Sequence, residues 1–167
     1  ASCSWGSGAL RTATSADGGW SSTAVNSANA LVTMSIYLID SETYTSLASA
    51  TQKDLYDAYS TQTADLTGQN KNASTGALIG AITINDTDAA AAVQYAVAIA
   101  TYTDATYGDM YIANRVATTF NSATQKGSAT AIISGVGNWQ AEAVPEPTSG
   151  LLMLLGMAGL ALRRRRA

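Results

Sequence analysis

The stretch Leu31-Val-Thr-Met-Ser-Ile-Tyr-Leu-Ile39 constrains the fold more than any other. Val32, Met34, Ile36 and Leu38 fall on one side of an extended chain, and Thr33, Ser35 and Tyr37 on the other. A period of two belongs to a strand with one apolar face and one hydroxyl-bearing face. Asp40-Ser41 ends it. Val93, Tyr95, Val97, Ile99 and Thr101 alternate in the same way and are strand-forming residues. They predict a strand to about Tyr102, a turn over Asp104 to Gly108, and a returning strand from Met110 to Thr119. The competing expectation is a helix from Ala89 to Ala100, because alanine is the best helix former. Leu78 to Ile84 and Ala129 to Val136 read as further strands, the latter after a turn at Gly127-Ser128. The segment "GALRTAT" offers one more.

Helical periodicity is confined to one place. Ser41 to Ala50 suggests only a short helical turn. Gln52 to Leu66 carries Leu55, Tyr56, Tyr59 and Leu66 as an apolar side, with Thr51 and Asp54 as a capping box and Gly68 as a C-terminal cap. Residues 67–76 read as a loop and Asn85 to Asp88 as a turn. The fold expected is mainly β: an antiparallel, sandwich-like body with one helical insertion at about 52–66 and one wet sheet face, followed by a C-terminal hydrophobic helix.

With 167 residues the chain has room for one domain and a tail, divided here at 1–143 and 144–167. Only 13% of residues are charged, about half the usual share. Thr, Ser, Gly and Asn supply most of the polar surface, a composition that suits an exported protein. Ala1 in place of Met leads us to expect a secretion signal already removed. Residues 1–147 hold all twelve acids and five bases, 5 − 12 = −7. Such a body repels phosphates, so no nucleic-acid partner is expected. There is no histidine and one cysteine, Cys3. The zinc sites and nucleophilic relays that need His or paired Cys are therefore missing a member, and neither a metal nor a cofactor is expected.

Several constellations are candidate sites. Asn85, Asp86 and Asp88 form an oxygen-rich turn that lacks the spacing of a calcium loop, and ordinary turn chemistry accounts for them. Asp104, Gly108 and Asp109 are read the same way. Asp54 and Asp57 stand at i, i+3, where paired carboxylates on an exposed helix usually serve solvation rather than glycoside chemistry. Trp5, Trp20 and Trp139 would make a sugar-stacking platform if exposed, but core packing is the ordinary use of such rings.

The tail is different. Leu151 to Leu162 has neither charge nor Pro, and Leu151, Leu152, Leu154, Leu155, Leu160 and Leu162 make it apolar on every side. As a helix it covers about 18 Å, short of the ~30 Å hydrocarbon layer. Arg163, Arg164, Arg165 and Arg166 follow, and their long side chains can snorkel and hold that end cytoplasmic. Pro145 and Pro147 keep the preceding peptide extended. This order of Pro145-Glu146-Pro147, short apolar helix and Arg cluster resembles the PEP-CTERM sorting signal of exosortase substrates. The resemblance covers residues 144–167, roughly a seventh of the chain. It implies that Pro145, Glu146 and Pro147 are the sorting motif, Arg163 to Arg166 the stop, membrane lipid a partner through the helix, and an exosortase-type enzyme the processing partner.

The function expected is that of a non-catalytic, exported cell-envelope or extracellular-matrix protein, anchored by its tail across the inner membrane or released to the surface. The alternatives are a carbohydrate-binding surface module, with glycan or matrix polysaccharide as partner, and a hydrolase working with carboxylates alone.

Overall fold

The structure is a computed structural model. It describes residues 2–15, 18–21, 23, 25, 31–70, 79–83, 93–121, 123–124, 126–130, 132–133 and 138–142, with the backbone alone for 79–83 and 120. The described part is mainly β, with two helices. Its centre is the strand β5 (Tyr95–Asp104), paired antiparallel on one side with β2 (Thr33–Ile39) and on the other with β6 (Gly108–Ala117). Adding β3 (Leu66–Gln69) and β9 (Gln140–Ala141) at the edges gives a five-stranded sheet in the order β3-β2-β5-β6-β9. A second sheet of four strands runs β4 (Ile79–Thr83), β1 (Ser2–Gly6), β8 (Lys126–Ala129), β7 (Thr119–Asn121).

The two faces of β5 explain the layering. Ala96, Ala98 and Ala100 belong to the main core, where Trp5, Trp139, Leu10, Met34 and Ile112 are also fully or almost fully buried. Three small side chains in a row leave volume that the large rings occupy, which is how an interior reaches crystal-like density. Val97 and Ile99 point the other way, into a second core with Tyr37, Leu55, Tyr111 and Ala113. That core lies under α2 (Gln52–Tyr59), which is preceded by α1 (Ser41–Ser46) and a 3₁₀ turn at Leu47–Ser49.

The expected wet face of the five-stranded sheet is thus partly roofed. Tyr37, on the hydroxyl-bearing side of β2, is only 6% exposed, and its ring meets Tyr59 at 5.6 Å. Leu38, expected in the core, is 38% exposed instead.

The capping box of α2 forms: the Thr51 hydroxyl and Asp54 serve each other's backbone. The helix stops at Tyr59 rather than Leu66. Asp65 accepts the Leu38 N–H at 2.7 Å, and its own amide donates to the Ile36 carbonyl, which draws the chain onto the sheet edge. Leu66 then faces Ile36, and Gly68, expected as a helix cap, lies opposite Met34 inside β3. Residues 66–69 are accordingly strand, where a loop was expected from 67. The expected strand forms over Tyr95–Asp104 and the competing helix does not form over 95–100, where both faces of β5 enter cores; residues 89–92 lie outside the described residues. Gly127 and Ser128 are not a turn. They pair with Cys3 and Ser4 in the only parallel ladder among the described residues, so the smaller sheet is mixed. Ile132 and Ile133 sit in a buried turn instead of a strand. The N-terminal strand is Ser2–Gly6, ahead of "GALRTAT". The predicted Asn85 to Asp88 turn and the C-terminal hydrophobic helix lie outside the described residues.

Candidate functional site

The last described residues, 138–142, are held from three directions. The Trp139 ring is fully buried and its Nε1–H donates to the Arg11 carbonyl at 2.6 Å. Tyr102 meets it edge-on at 4.4 Å, and Trp20 stacks at 6.4 Å. Gln140 and Ala141 pair with Tyr111 and Met110 of β6. The Gln52 side chain on α2 bridges strand edges as a peptide group would. Its Nε2 donates to the Asn138 carbonyl and its Oε1 accepts the Ala113 N–H, each at 3.1 Å. The Glu142 N–H donates to the Asp109 carbonyl at 2.9 Å, and the Glu142 carboxylate accepts from the Tyr56 hydroxyl. Tyr56 stacks on Tyr111, with ring centroids 4.0 Å apart. Burial, and then the bond to Glu142, push the Tyr56 phenol above its ordinary pKa.

Beside this junction is an open groove of about 400 Å³. Thr33, Thr101, Thr103, Tyr56, Asp109 and Glu142 line it, with Leu31 at its rim, 56% exposed. On the outer face of β5, α2 is packed over Val97 and Ile99, and where its cover ends the same face continues as Thr101 and Thr103. Thr33 lies across from Thr101 in the ladder, and Thr103 across from Asp109. The Thr103 hydroxyl donates to Asp109 Oδ1 at 2.6 Å.

Asp109 therefore belongs to the groove and does more than the turn duty assigned to it from sequence. Glu142 was not singled out there at all; the change from Val and Ile to Thr along β5 was the available signal. Asp104 does serve the turn. Burial alone would raise its carboxyl, but the amides of Thr106 and Tyr107 and the Tyr102 hydroxyl outweigh that and hold it low. Gly108 closes the turn at φ +77°.

The other sequence candidates separate cleanly. Asp54 caps α2, and Asp57 pairs with Lys53 one turn back at 2.5 Å. Trp5 and Trp139 are 0% exposed and Trp20 is half-buried against Trp139, so no tryptophan platform is presented. Cys3 is buried, and burial raises its thiol pKa. Among the described residues no group of three or more His, Cys, Asp or Glu is placed to hold a metal, and no helix is long and apolar enough to cross a membrane. Asn85, Asp86 and Asp88 lie outside the described residues, as do Pro145, Glu146, Pro147, Leu151 to Leu162 and Arg163 to Arg166.

Fold and junction together define a two-sheet β body that is pinned as far as Glu142, with eight residues between it and the apolar, arginine-ended segment that begins at Leu151. Residues 143–166 match the family model of the PEP-CTERM protein-sorting motif. The match starts at the residue after Glu142, one before the boundary drawn from sequence. The chain thus carries a sorting signal of the kind found on exported cell-envelope proteins that an exosortase-type enzyme processes. Neither a curated protein nor a solved structure matches the chain.

Proposed function

We propose that this chain is a non-catalytic protein of the cell envelope or extracellular matrix. In this reading Pro145, Glu146 and Pro147 are read by the processing enzyme, Leu151 to Leu162 lies in lipid, and Arg163 to Arg166 stays cytoplasmic. The match over residues 143–166 carries the reading. The junction supports it. Among the described residues the contacts of the last strand run as far as Glu142, and cutting beyond that point removes none of these. Only two residues separate Glu142 from Pro145, a reach over three Cα steps of roughly 11 Å at most. The enzyme would thus work close against a folded body.

The non-catalytic part is supported by the absence of histidine and by the occupation of Asp54 and Asp57 in capping and ion pairing. Two experiments test the reading. Alanines at Pro145, Glu146 and Pro147 should abolish C-terminal trimming, read by mass of the protein isolated from its host; unaltered trimming refutes the sorting role. Deleting residues 144–167 should move the body out of the membrane fraction, and an unchanged distribution would reject the anchor.

A further inference from the structure

We propose that the groove between α2 and the Thr-bearing end of the five-stranded sheet binds a saccharide. Amino-sugar units are preferred over neutral ones, and uronates are rejected. Thr103 occupies Asp109 Oδ1 and Tyr56 occupies Glu142 Oε1. The second oxygen of each carboxylate, and the hydroxyl of Thr101, have no protein partner among the described residues. Two oriented acceptors and one group that both donates and accepts call for a ligand rich in hydroxyl donors. The groove, about 400 Å³, falls in the ordinary size range of small-ligand sites. The exposed Leu31 side chain and the Tyr56 ring offer apolar surface for the C–H face of a sugar.

Charge sets the class. Among the described residues no Lys or Arg lines the groove, while two carboxylates do. A sugar ammonium there would make charge-assisted hydrogen bonds, about twice as strong as neutral ones. A uronate would meet like charge with no cation among the described lining residues to offset it. A metal ion is a poorer fit, because the described residues supply no third acid. This inference rests on the groove alone and stands or falls separately from the sorting tail.

The test uses the full chain in detergent micelles and isothermal titration with three hexamers: β-1,4-glucosamine, cellohexaose and galacturonate. The glucosamine hexamer should bind about tenfold more tightly than cellohexaose, and galacturonate should give no heat. Asp109→Asn should weaken glucosamine binding about 10- to 100-fold, the scale of losing a hydrogen bond to a charged group. Glu42→Gln, on α1, removes the same charge away from the groove and should change nothing. Thr101→Val, which preserves shape, should weaken cellohexaose binding as well and keeps the proposal testable if Asp109→Asn misfolds. Equal losses for Asp109→Asn and Glu42→Gln would reduce the effect to general attraction and overturn the site. Silence with all three hexamers, or uronate binding on a par with the others, would overturn it too. Chromatography after titration should return intact hexamers; cleaved products would replace a binding site with a hydrolase and would also end the non-catalytic reading, while leaving the sorting role untouched.

Discussion

Replacing Trp139 by Ala is the sharpest perturbation of the junction. The indole is fully buried, and an aromatic of its kind removes roughly 200 Å² from water, worth ~5 kcal/mol at ~25 cal/mol per Å². Part of that remains with the alanine, but the variant also loses the bond to the Arg11 carbonyl, ~1 kcal/mol net, and the edge contact with Tyr102. Large-to-small aromatic changes in cores cost ~3–5 kcal/mol, and we expect a value in that range. Trp139→Phe keeps much of the ring contact and should cost ~1–2 kcal/mol, mainly the lost N–H donor. The assay is urea unfolding of the full chain in detergent, followed by far-UV circular dichroism because the variant loses a fluorophore. The midpoint should fall with an unchanged slope. In a thermal scan the alanine variant should melt ~6–20 °C lower, at ~2–4 °C per kcal/mol for a chain of this size. A loss below ~1 kcal/mol for Trp139→Ala, or equal losses for Ala and Phe, would show that the ring is not the pinned core residue described.

Further outcomes follow from single residues. Gly18 sits at φ +100°, and a Cβ there would lie 2.3 Å from the Trp139 carbonyl oxygen, so Gly18→Ala should cost more than ~2 kcal/mol; Gly108, at φ +77° with open space around it, should cost only ~1 kcal/mol as Ala and less as Asn, compared by urea unfolding. Thr51→Ala removes the α2 cap and should destabilise by ~1 kcal/mol in the same measurement. The hydrogen bonds from Thr51 hold the Asp54 carboxyl below its ordinary pKa, and those from Thr43 do so for Asp40. A depressed folded pKa gives stability that is present above the unfolded value and lost as the carboxyl protonates, so stability should hold from pH 7 to about 5 and decline below about 4. Burial raises the Tyr102 phenol; its contribution is whole below the unfolded value near 10 and lost above it, so Tyr102→Phe should flatten the alkaline limb of a pH–stability curve.

How far these features were legible in the amino-acid sequence depended on whether the signal was local. The β2 alternation, the β5–β6 hairpin and the Thr51–Asp54 box depend on neighbours a few residues away, and each formed close to where the pattern placed it. Leu66 and Gly68 misled, because their partners Ile36 and Met34 are thirty residues upstream and helical spacing cannot register them. Gly127-Ser128 looked like a turn for the same reason: the strand that claims them begins at Ser2. Strand β5 was legible as a strand, but its place between two cores was not, because Ala on one face and Val and Ile on the other do not announce a second buried side. The sorting motif was readable because its three parts are contiguous. The groove was not, since Thr33, Thr101, Asp109 and Glu142 meet only after three strands and a helix are assembled.

The position of β1 has a bearing on how the body is made. Its five residues lie between β4 and β8, so one neighbour is nearly eighty residues downstream and the other more than a hundred and twenty. Because β1 is made before both of its neighbours, it must wait, unpaired, until the chain as far as β8 has followed. Closing such long loops before any reward is the slow kind of β assembly. The smaller sheet should consequently be the last to consolidate, and removing Ser2–Gly6 would take out a middle strand and leave two edges where there had been a joined surface.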